Sequence, residues 1–228
     1  MTSHPRLLAM IPARLGSQRL KQKNLREIAG ASLVAWAVRK CRAAGVFDEI
    51  WVNSEAEEIG RIAEAEGARF HRRPPELANN VATSEQFVHE FLLAHPCDYL
   101  IQVHSIAPLL TTEEVRAFVE AMLADGCDVQ LSCTLEQIEC ALDGRPVNFT
   151  FAEKTNSQEL RPIQRVTWSI TGWRRATYLE AFAAGRTATY AGRVAFHPLD
   201  RLAGHIIKTE EDLQQAAALW PLRFGARD

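Results

Sequence analysis

The sequence predicts an α/β fold: a Rossmann-like, mostly parallel sheet with helices on both faces. Short apolar runs, at 7–11, 49–52 and 99–103, have the length and composition of buried strands. Helical patterns alternate with them, as in 33–44, where Ser32 is in position to cap the helix. Because strands that alternate with helices are joined by right-handed crossovers, these runs are expected to form one sheet.

The other predicted elements continue this alternation. Further strands are predicted at 68–71 and 129–133, and further helices at 55–66, 83–95, 111–124, 175–184 and 210–220. The rhythm changes in residues 134–172, which hold β-rich pieces at 147–151 and 165–170 and no clear helix. We interpret residues 1–228 as a single domain in which 134–172 form a small β-rich insertion, a dimerisation appendage. The expected assembly is a homodimer.

Composition excludes several classes of protein. The chain has 228 residues, 47% of them hydrophobic and 24% charged, which fits a folded domain rather than a disordered one. A net charge of -2 does not favour a nucleic-acid partner, and no apolar run approaches a membrane span. Five cysteines without paired spacing, and no evident signal peptide, predict a cytoplasmic protein with reduced thiols.

The loop at 12–24 is the main functional candidate, because it follows the first strand at the edge where doubly wound sheets bind ligands. Gly16 permits close approach of an oxyanion to the backbone. The donors of the loop are Arg14, Ser17, Arg19, Lys21, Lys23 and Asn24. Such a set suits a triphosphate and the charge that builds on leaving pyrophosphate. The alternative is a solvated basic surface loop.

Two segments resemble motifs of the acylneuraminate cytidylyltransferases, the CMP-sugar-acid synthetases. The first is Ile11-Pro-Ala-Arg-Leu-Gly-Ser-Gln-Arg-Leu-Lys-Gln-Lys-Asn24, and the second is Arg73-Pro-Pro-Glu-Leu-Ala-Asn-Asn-Val-Ala-Thr-Ser84. The chain is similar to a divergent member of this family over nearly its whole length. The resemblance implies that CTP and a 2-keto sugar acid react to give a CMP-sugar and pyrophosphate.

The resemblance also implies roles for individual residues. The implied nucleotide-binding residues are Arg14, Gly16, Ser17, Lys23, Asn24, Arg73, Ala82 and Ser84. The implied catalytic residues are Arg14 and Lys23, to which we add Lys208 at a position where the family has an aspartate. The candidate substrate-binding residues are His104, Arg161 and Arg165. His104 stands where the family has a glutamine, and a purely structural histidine is the alternative there.

The family's metal site is where this sequence departs furthest. Mg²⁺ is expected from the resemblance, but Ile206 and Lys208 replace the two usual aspartates, so no residue is assigned as a metal ligand. Lys208 either supplies part of the metal's positive charge or points to solvent. Three alternatives therefore stay open: a nucleotide-binding pseudoenzyme, a non-sialic anionic acceptor, and a nucleotide other than CTP.

Overall fold

The structure, a computed structural model, describes residues 4–225. Its strands are β1 (Leu7–Pro12), β2 (Glu27–Ile28), β3 (Ala31–Ser32), β4 (Glu49–Ser54), β5 (Arg69–Arg72), β6 (Tyr99–Val103), β7 (Val129–Glu136), β8 (Ala141–Leu142), β9 (Arg145–Pro146), β10 (Ile163–Arg174) and β11 (Val194–Pro198). Its helices are α1 (Leu33–Ala44), α2 (Glu57–Ala65), α3 (Ser84–Ala94), α4 (Thr112–Asp125), α5 (Arg175–Ala183) and α6 (Glu210–Phe224).

Seven strands form the central sheet in the order β11-β7-β10-β6-β1-β4-β5. Neighbouring strands are parallel except around β10, which is antiparallel to both β6 and β7. The predicted mostly parallel α/β sheet is therefore confirmed. The short pairs β2–β3 and β8–β9 are separate two-stranded hairpins.

The central strand β1 shows why both faces of the sheet are covered. Leu7, Ala9 and Ile11 face one apolar core, and Leu8 and Met10 face the other. The first core packs against α1, α2 and α4, and the second packs against α3 and α5. A strand buried on both faces has an uninterrupted apolar sequence, which is why this strand could be predicted from the sequence. No helix within residues 4–225 combines the length and apolar character that a membrane span needs.

Side-chain caps fix where several helices begin. The Ser32 hydroxyl accepts a hydrogen bond from the Ala35 amide, and α1 has the predicted bounds. Thr83 and Thr111 form complete capping boxes at the starts of α3 and α4. Thr209 does the same for α6, which continues beyond its predicted end at 220 to Phe224.

The predicted insertion at 134–172 is divided in the structure. Residues 163–172 belong to β10, between β6 and β7 in the main sheet, so they are not part of an appendage. Only residues 137–162 leave the sheet; they contain the β8–β9 hairpin, and the β-rich piece at 147–151 forms no strand. Strand β11, which was not predicted from the sequence, adds a parallel edge strand beside β7.

Candidate functional site

The loop after β1 is fastened to the sheet at both ends. The Ala13 amide donates to the Asn53 carbonyl oxygen at 3.0 Å, which holds the start of the loop beside β4. At the other end, Asn24 Nδ2 donates to the Arg14 carbonyl oxygen at 2.8 Å, and the Ser105 hydroxyl donates to Asn24 Oδ1 at 2.7 Å. Asn24 is buried, so its amide joins the loop to the carboxyl end of β6.

A cavity of about 290 Å³, here called the phosphate cavity, opens beneath this loop. The predicted residues Arg14, Ser17, Lys23, Asn24, Arg73 and His104 all line it, together with Arg19 and Phe87. The position of a Cβ on Gly16 would meet no atom within 4 Å, so the apex of the loop is open. Two motifs that are far apart in sequence thus supply one basic cavity.

Arg73 is a buried cation held in place by neutral groups. Its side chain is 3% exposed, its Nε donates to Asn53 Oδ1, and its Nη2 donates to the Asn53 carbonyl oxygen at 2.9 Å. The guanidinium lies 4.1 Å from the centroid of the Phe87 ring. Burial lowers the pKa of Arg73 to about 10, so it stays charged near neutrality. No carboxylate within residues 4–225 forms an ion pair with it, which leaves its charge available to an anion.

Lys23 and Arg14 complete the basic lining. Lys23 Nζ donates to the Ile207 carbonyl oxygen at 3.1 Å, and Arg14 Nη1 donates to the Asn79 carbonyl oxygen at 2.7 Å. Burial, and then the charges of Arg19 and Arg14, lower the pKa of Lys23. The electrostatic repulsion between these cations decreases when an anion binds between them.

The end of the second motif lies apart from the phosphate cavity. Ala82 is in the loop before α3, where its amide donates to Asn79 Oδ1 at 2.8 Å. Ser84 begins α3 and lines a separate cavity of about 180 Å³, here called the inner compartment. The residues around the inner compartment are Ser84, Val88, Gln102, His104, Trp168, Trp173, Tyr178 and Thr189. Among residues 4–225, His104 alone lines both cavities.

His104 joins the two cavities as a neutral ring. Its Nε2 is 3.0 Å from Gln102 Oε1, and its backbone amide donates to the Ser169 carbonyl oxygen at 3.0 Å. Burial, and then the charge of Lys23, lower the pKa of His104 to about 4. The imidazole is therefore uncharged near neutrality and suits hydrogen bonding better than anion binding.

An outer cavity of about 930 Å³ lies beside the first two and contains Lys208 and Arg165. It shares Ile106 with the phosphate cavity and Trp168 with the inner compartment. Arg165 Nε donates to Glu136 Oε1 at 3.0 Å. Arg161 is exposed and lines none of the three cavities, so the structure does not bring it to the other predicted site residues.

The residues at the family's metal position do not fit a protein-held Mg²⁺. Ile206 offers no oxygen, and Lys208 offers a cation. The nearby Asp212 carboxylate already accepts the Lys208 and Thr209 amides at 2.8 Å each, as the cap of α6. Within residues 4–225, no three His, Cys, Asp or Glu side chains are grouped so that they could hold a metal ion.

Curated relatives share part of this sequence. The chain is 33% identical to an N-acylneuraminate cytidylyltransferase from Escherichia coli over 158 residues, which is 69% of this chain and 34% of that protein. It is 32% identical to N-acylneuraminate cytidylyltransferase A of Danio rerio over 53% of this chain, and the match spans only 28% of that relative. A 3-deoxy-manno-octulosonate cytidylyltransferase from Acidobacterium capsulatum is 31% identical over 81% of this chain and 76% of its own length.

Solved structures support the same fold. The CMP:2-keto-3-deoxy-manno-octonic acid synthetase complexed with CTP superposes with a TM-score of 0.71 at 17% identity, covering 95% of this chain and 99% of that one. The 4-diphosphocytidyl-2C-methyl-D-erythritol synthase of Anaerococcus prevotii gives 0.68 at 14% identity, covering 95% and 98%. A sequence model of the family described as cytidylyltransferase matches residues 8–169. With its two motifs brought together in one basic cavity, this chain belongs to the cytidylyltransferase family.

Proposed function

We propose that the chain transfers CMP from CTP to a 2-keto sugar acid and releases pyrophosphate. The observation that carries this proposal is the phosphate cavity, where Arg14, Arg19, Lys23 and Arg73 converge at the carboxyl ends of the strands. The relatives named for N-acylneuraminate and 3-deoxy-manno-octulosonate support a sugar acid as acceptor.

The proposed reaction is an in-line displacement at the α-phosphorus. The acceptor hydroxyl oxygen forms a bond to phosphorus, the bond to the bridging oxygen breaks, and the hydroxyl proton passes to water. Negative charge grows on the leaving pyrophosphate, where Arg14 and Lys23 are placed to stabilise it. His104 has a pKa of about 4, which makes it a weak base. We therefore assign it to orienting the acceptor hydroxyl rather than to removing its proton.

We propose that the acceptor binds on the side of the outer cavity. Arg165 and Lys208 both line that cavity, and Arg165 is the cation that we assign to the acceptor carboxylate. Arg161 lines none of the three cavities, so we do not assign it that role.

We also propose that a homodimer forms in the cytoplasm through residues 137–162, where Ile138, Leu142 and Phe151 expose large apolar side chains. Sedimentation showing only monomer at micromolar concentration would contradict the dimer.

The nucleotide part of the proposal is tested by the pair of variants Arg14→Ala and Lys21→Ala. Both remove a cation from the same loop, but Lys21 is exposed and lies outside the phosphate cavity. Calorimetric titration of CTP should show at least about tenfold weaker binding for Arg14→Ala, and little change for Lys21→Ala. Equal effects of the two changes would mean that the loop acts only as a diffuse basic surface.

A second candidate function is nucleotide binding without catalysis, favoured by Ile206 and Lys208 in place of metal-binding aspartates. Incubation with each of the four NTPs, Mg²⁺ and a panel of 2-keto sugar acids, followed by assay of pyrophosphate, separates the two. Pyrophosphate release only with CTP and a sugar acid supports the transferase. Tight CTP binding without turnover of any pair supports the pseudoenzyme, and release with another NTP corrects the choice of base.

A further inference from the structure

The inner compartment is lined without formal charge. It lies between β6, β10, α3 and α5, and no Asp, Glu, Lys or Arg side chain among residues 4–225 lines it. Trp168, Trp173 and Tyr178 are its large aromatic lining residues. The indole of Trp173 already donates to the Thr189 carbonyl oxygen at 3.1 Å, and the Tyr178 hydroxyl donates to the Glu85 carbonyl oxygen at 3.2 Å. These aromatic groups therefore present mainly apolar surface to an occupant.

Gln102 differs from the other polar residues of this wall because one end of its side-chain amide is unpaired within the described chain. It is 2% exposed, in a strand whose other four residues are apolar or aromatic. Its Oε1 is bonded to His104, but its Nε2 has no partner among residues 4–225. Turning the amide over would exchange its two ends and still leave one of them unpaired. Burying an unpaired amide costs free energy, so its presence calls for a partner that binds there.

A second unpaired polar atom lies beside it. Thr171 on β10 is directly paired with Gln102 on β6. Its Oγ1 is also buried without a partner within the described chain. Because directly opposed residues of antiparallel strands project to the same face, both groups lie on the side of α3 and α5. Two neighbouring buried polar atoms on this face of the sheet, Gln102 Nε2 and Thr171 Oγ1, thus lack hydrogen-bond partners within residues 4–225.

Trp168, which lines both the inner compartment and the outer cavity, has a strained backbone conformation. Trp168 has φ of 58°, a left-handed conformation that is unfavourable for a large side chain. It lies within the irregularity between Val166 and Thr171, where the pairing of β10 with β7 shifts register. This irregularity places one indole against both the inner compartment and the outer cavity. Strain of this kind persists where the surrounding structure holds it, commonly at ligand sites.

We infer, on the basis of the proposed function, that the inner compartment is an acceptor subsite for an uncharged, oxygen-bearing substituent, and that Gln102 selects this substituent. An acylamido group has the required chemistry, with a carbonyl oxygen for Gln102 Nε2 and an alkyl end for the aromatic wall. His104 lines both cavities, so an acceptor seated here lies next to the nucleotide phosphates. The acceptor carboxylate remains outside, where the charged residues are.

The test compares Gln102→Leu with the wild type on two acceptors. These are N-acetylneuraminic acid and the analogue that carries a hydroxyl in place of the acetamido group. The wild type should prefer N-acetylneuraminic acid in kcat/KM, and Gln102→Leu should lose most of that preference through an increase in KM of about tenfold. The affinity for CTP should not change. The melting temperature should change little, because the variant removes an unpaired buried amide nitrogen together with the hydrogen bond between Gln102 and His104.

Gln130→Leu is the matched control. Gln130 is equally buried on β7, but its Nε2 donates to the Phe118 carbonyl oxygen at 2.6 Å, outside all three cavities. This variant should lower the melting temperature and leave acceptor preference intact. The inference is overturned if Gln102→Leu keeps the wild-type preference, or if the wild type binds CTP yet uses neither acceptor. Absence of CTP binding would instead overturn the proposed function, and the inference with it.

Discussion

The phosphate cavity and the inner compartment meet at one histidine and are built in opposite ways. Within the described part of the chain, the first gathers four cations, and the second is lined by no Asp, Glu, Lys or Arg. The phosphates of the nucleotide carry the same charge whatever the acceptor is. A single loop of cationic side chains can therefore bind them. A neutral substituent is recognised by shape and one or two hydrogen bonds. Its site must therefore be assembled from several distant segments.

Burial acts on both sides but gives different charge states. Desolvation lowers the pKa of Arg73 to about 10 and the pKa of His104 to about 4. The guanidinium begins far above neutrality and keeps its proton, whereas the imidazole begins just below neutrality and loses it. The same physical effect thus leaves a cation in the phosphate cavity and a neutral imidazole at its boundary with the inner compartment.

The largest expected effect comes from removing the buried cation. Arg73→Met should weaken CTP binding by about a hundredfold, because a desolvated charge-assisted bond is lost. Arg72→Met is the matched control, since Arg72 is the exposed neighbour paired with Glu57. Calorimetry with CTP measures both. A similar loss for the two variants would show that general positive charge, and not the buried position, determines affinity.

A smaller effect is expected at Lys208, which borders the outer cavity and adds to the positive field at Lys23. If its charge acts on the phosphates, Lys208→Ala should lower kcat several-fold and raise the Mg²⁺ concentration needed for half-maximal rate. Lys154→Ala serves as the control, because Lys154 lies within residues 137–162, which leave the central sheet. An unchanged Mg²⁺ dependence would mean that Lys208 only points to solvent.

The smallest effect concerns stability outside both cavities. His95 Nε2 lies 2.9 Å from His71 Nδ1, and burial followed by the charge of His71 lowers the pKa of His95 to about 4. The unfolded chain, with a histidine pKa of about 6.5, then binds more protons than the folded chain. This contribution is complete above about pH 6.5 and is lost as pH falls toward 4.

The melting temperature should therefore decrease as the pH is lowered from 7 to 5. His95→Gln should make that decrease shallower by a few degrees without changing CTP affinity. Thermal unfolding followed by circular dichroism at both pH values measures it. A variant with the wild-type pH dependence would show that other groups control acid stability.

Sequence reasoning succeeded where one local segment carries the signal. The strand at 7–11 and the helix at 33–44 show period and caps within a few residues, and the loop at 12–24 carries its own cations. It recognised only residues 165–170 of β10 and assigned them to an appendage, because the buried positions of this strand include Thr167, Ser169 and Thr171 rather than a continuous apolar run. The hydroxyls of this strand differ in their partners: the Ser169 hydroxyl donates to the Ala203 carbonyl oxygen, whereas Thr171 Oγ1 has no partner among residues 4–225.

The residues proposed to bind the acceptor were harder to predict, because they come from segments that are distant in sequence. Gln102 lies in an apolar strand and was not identified, although a glutamine amid apolar residues was the available signal. Its significance depends on Thr171 and Trp168, which are more than sixty residues away in sequence. Arg161 was placed with the acceptor by motif alone, and the structure leaves it outside the cavities.

The insertion of β10 between β6 and β7 has a consequence for how the chain is made. A nascent chain that has emerged through β7 possesses two strand edges that only a segment from the last third of the sequence can pair. Until β10 arrives, those edges are open to other chains, as unpaired strand edges generally are. A ribosome stalled before residue 174 would therefore present an aggregation-prone half-sheet, and the wait for β10 is where a chaperone would have most to protect.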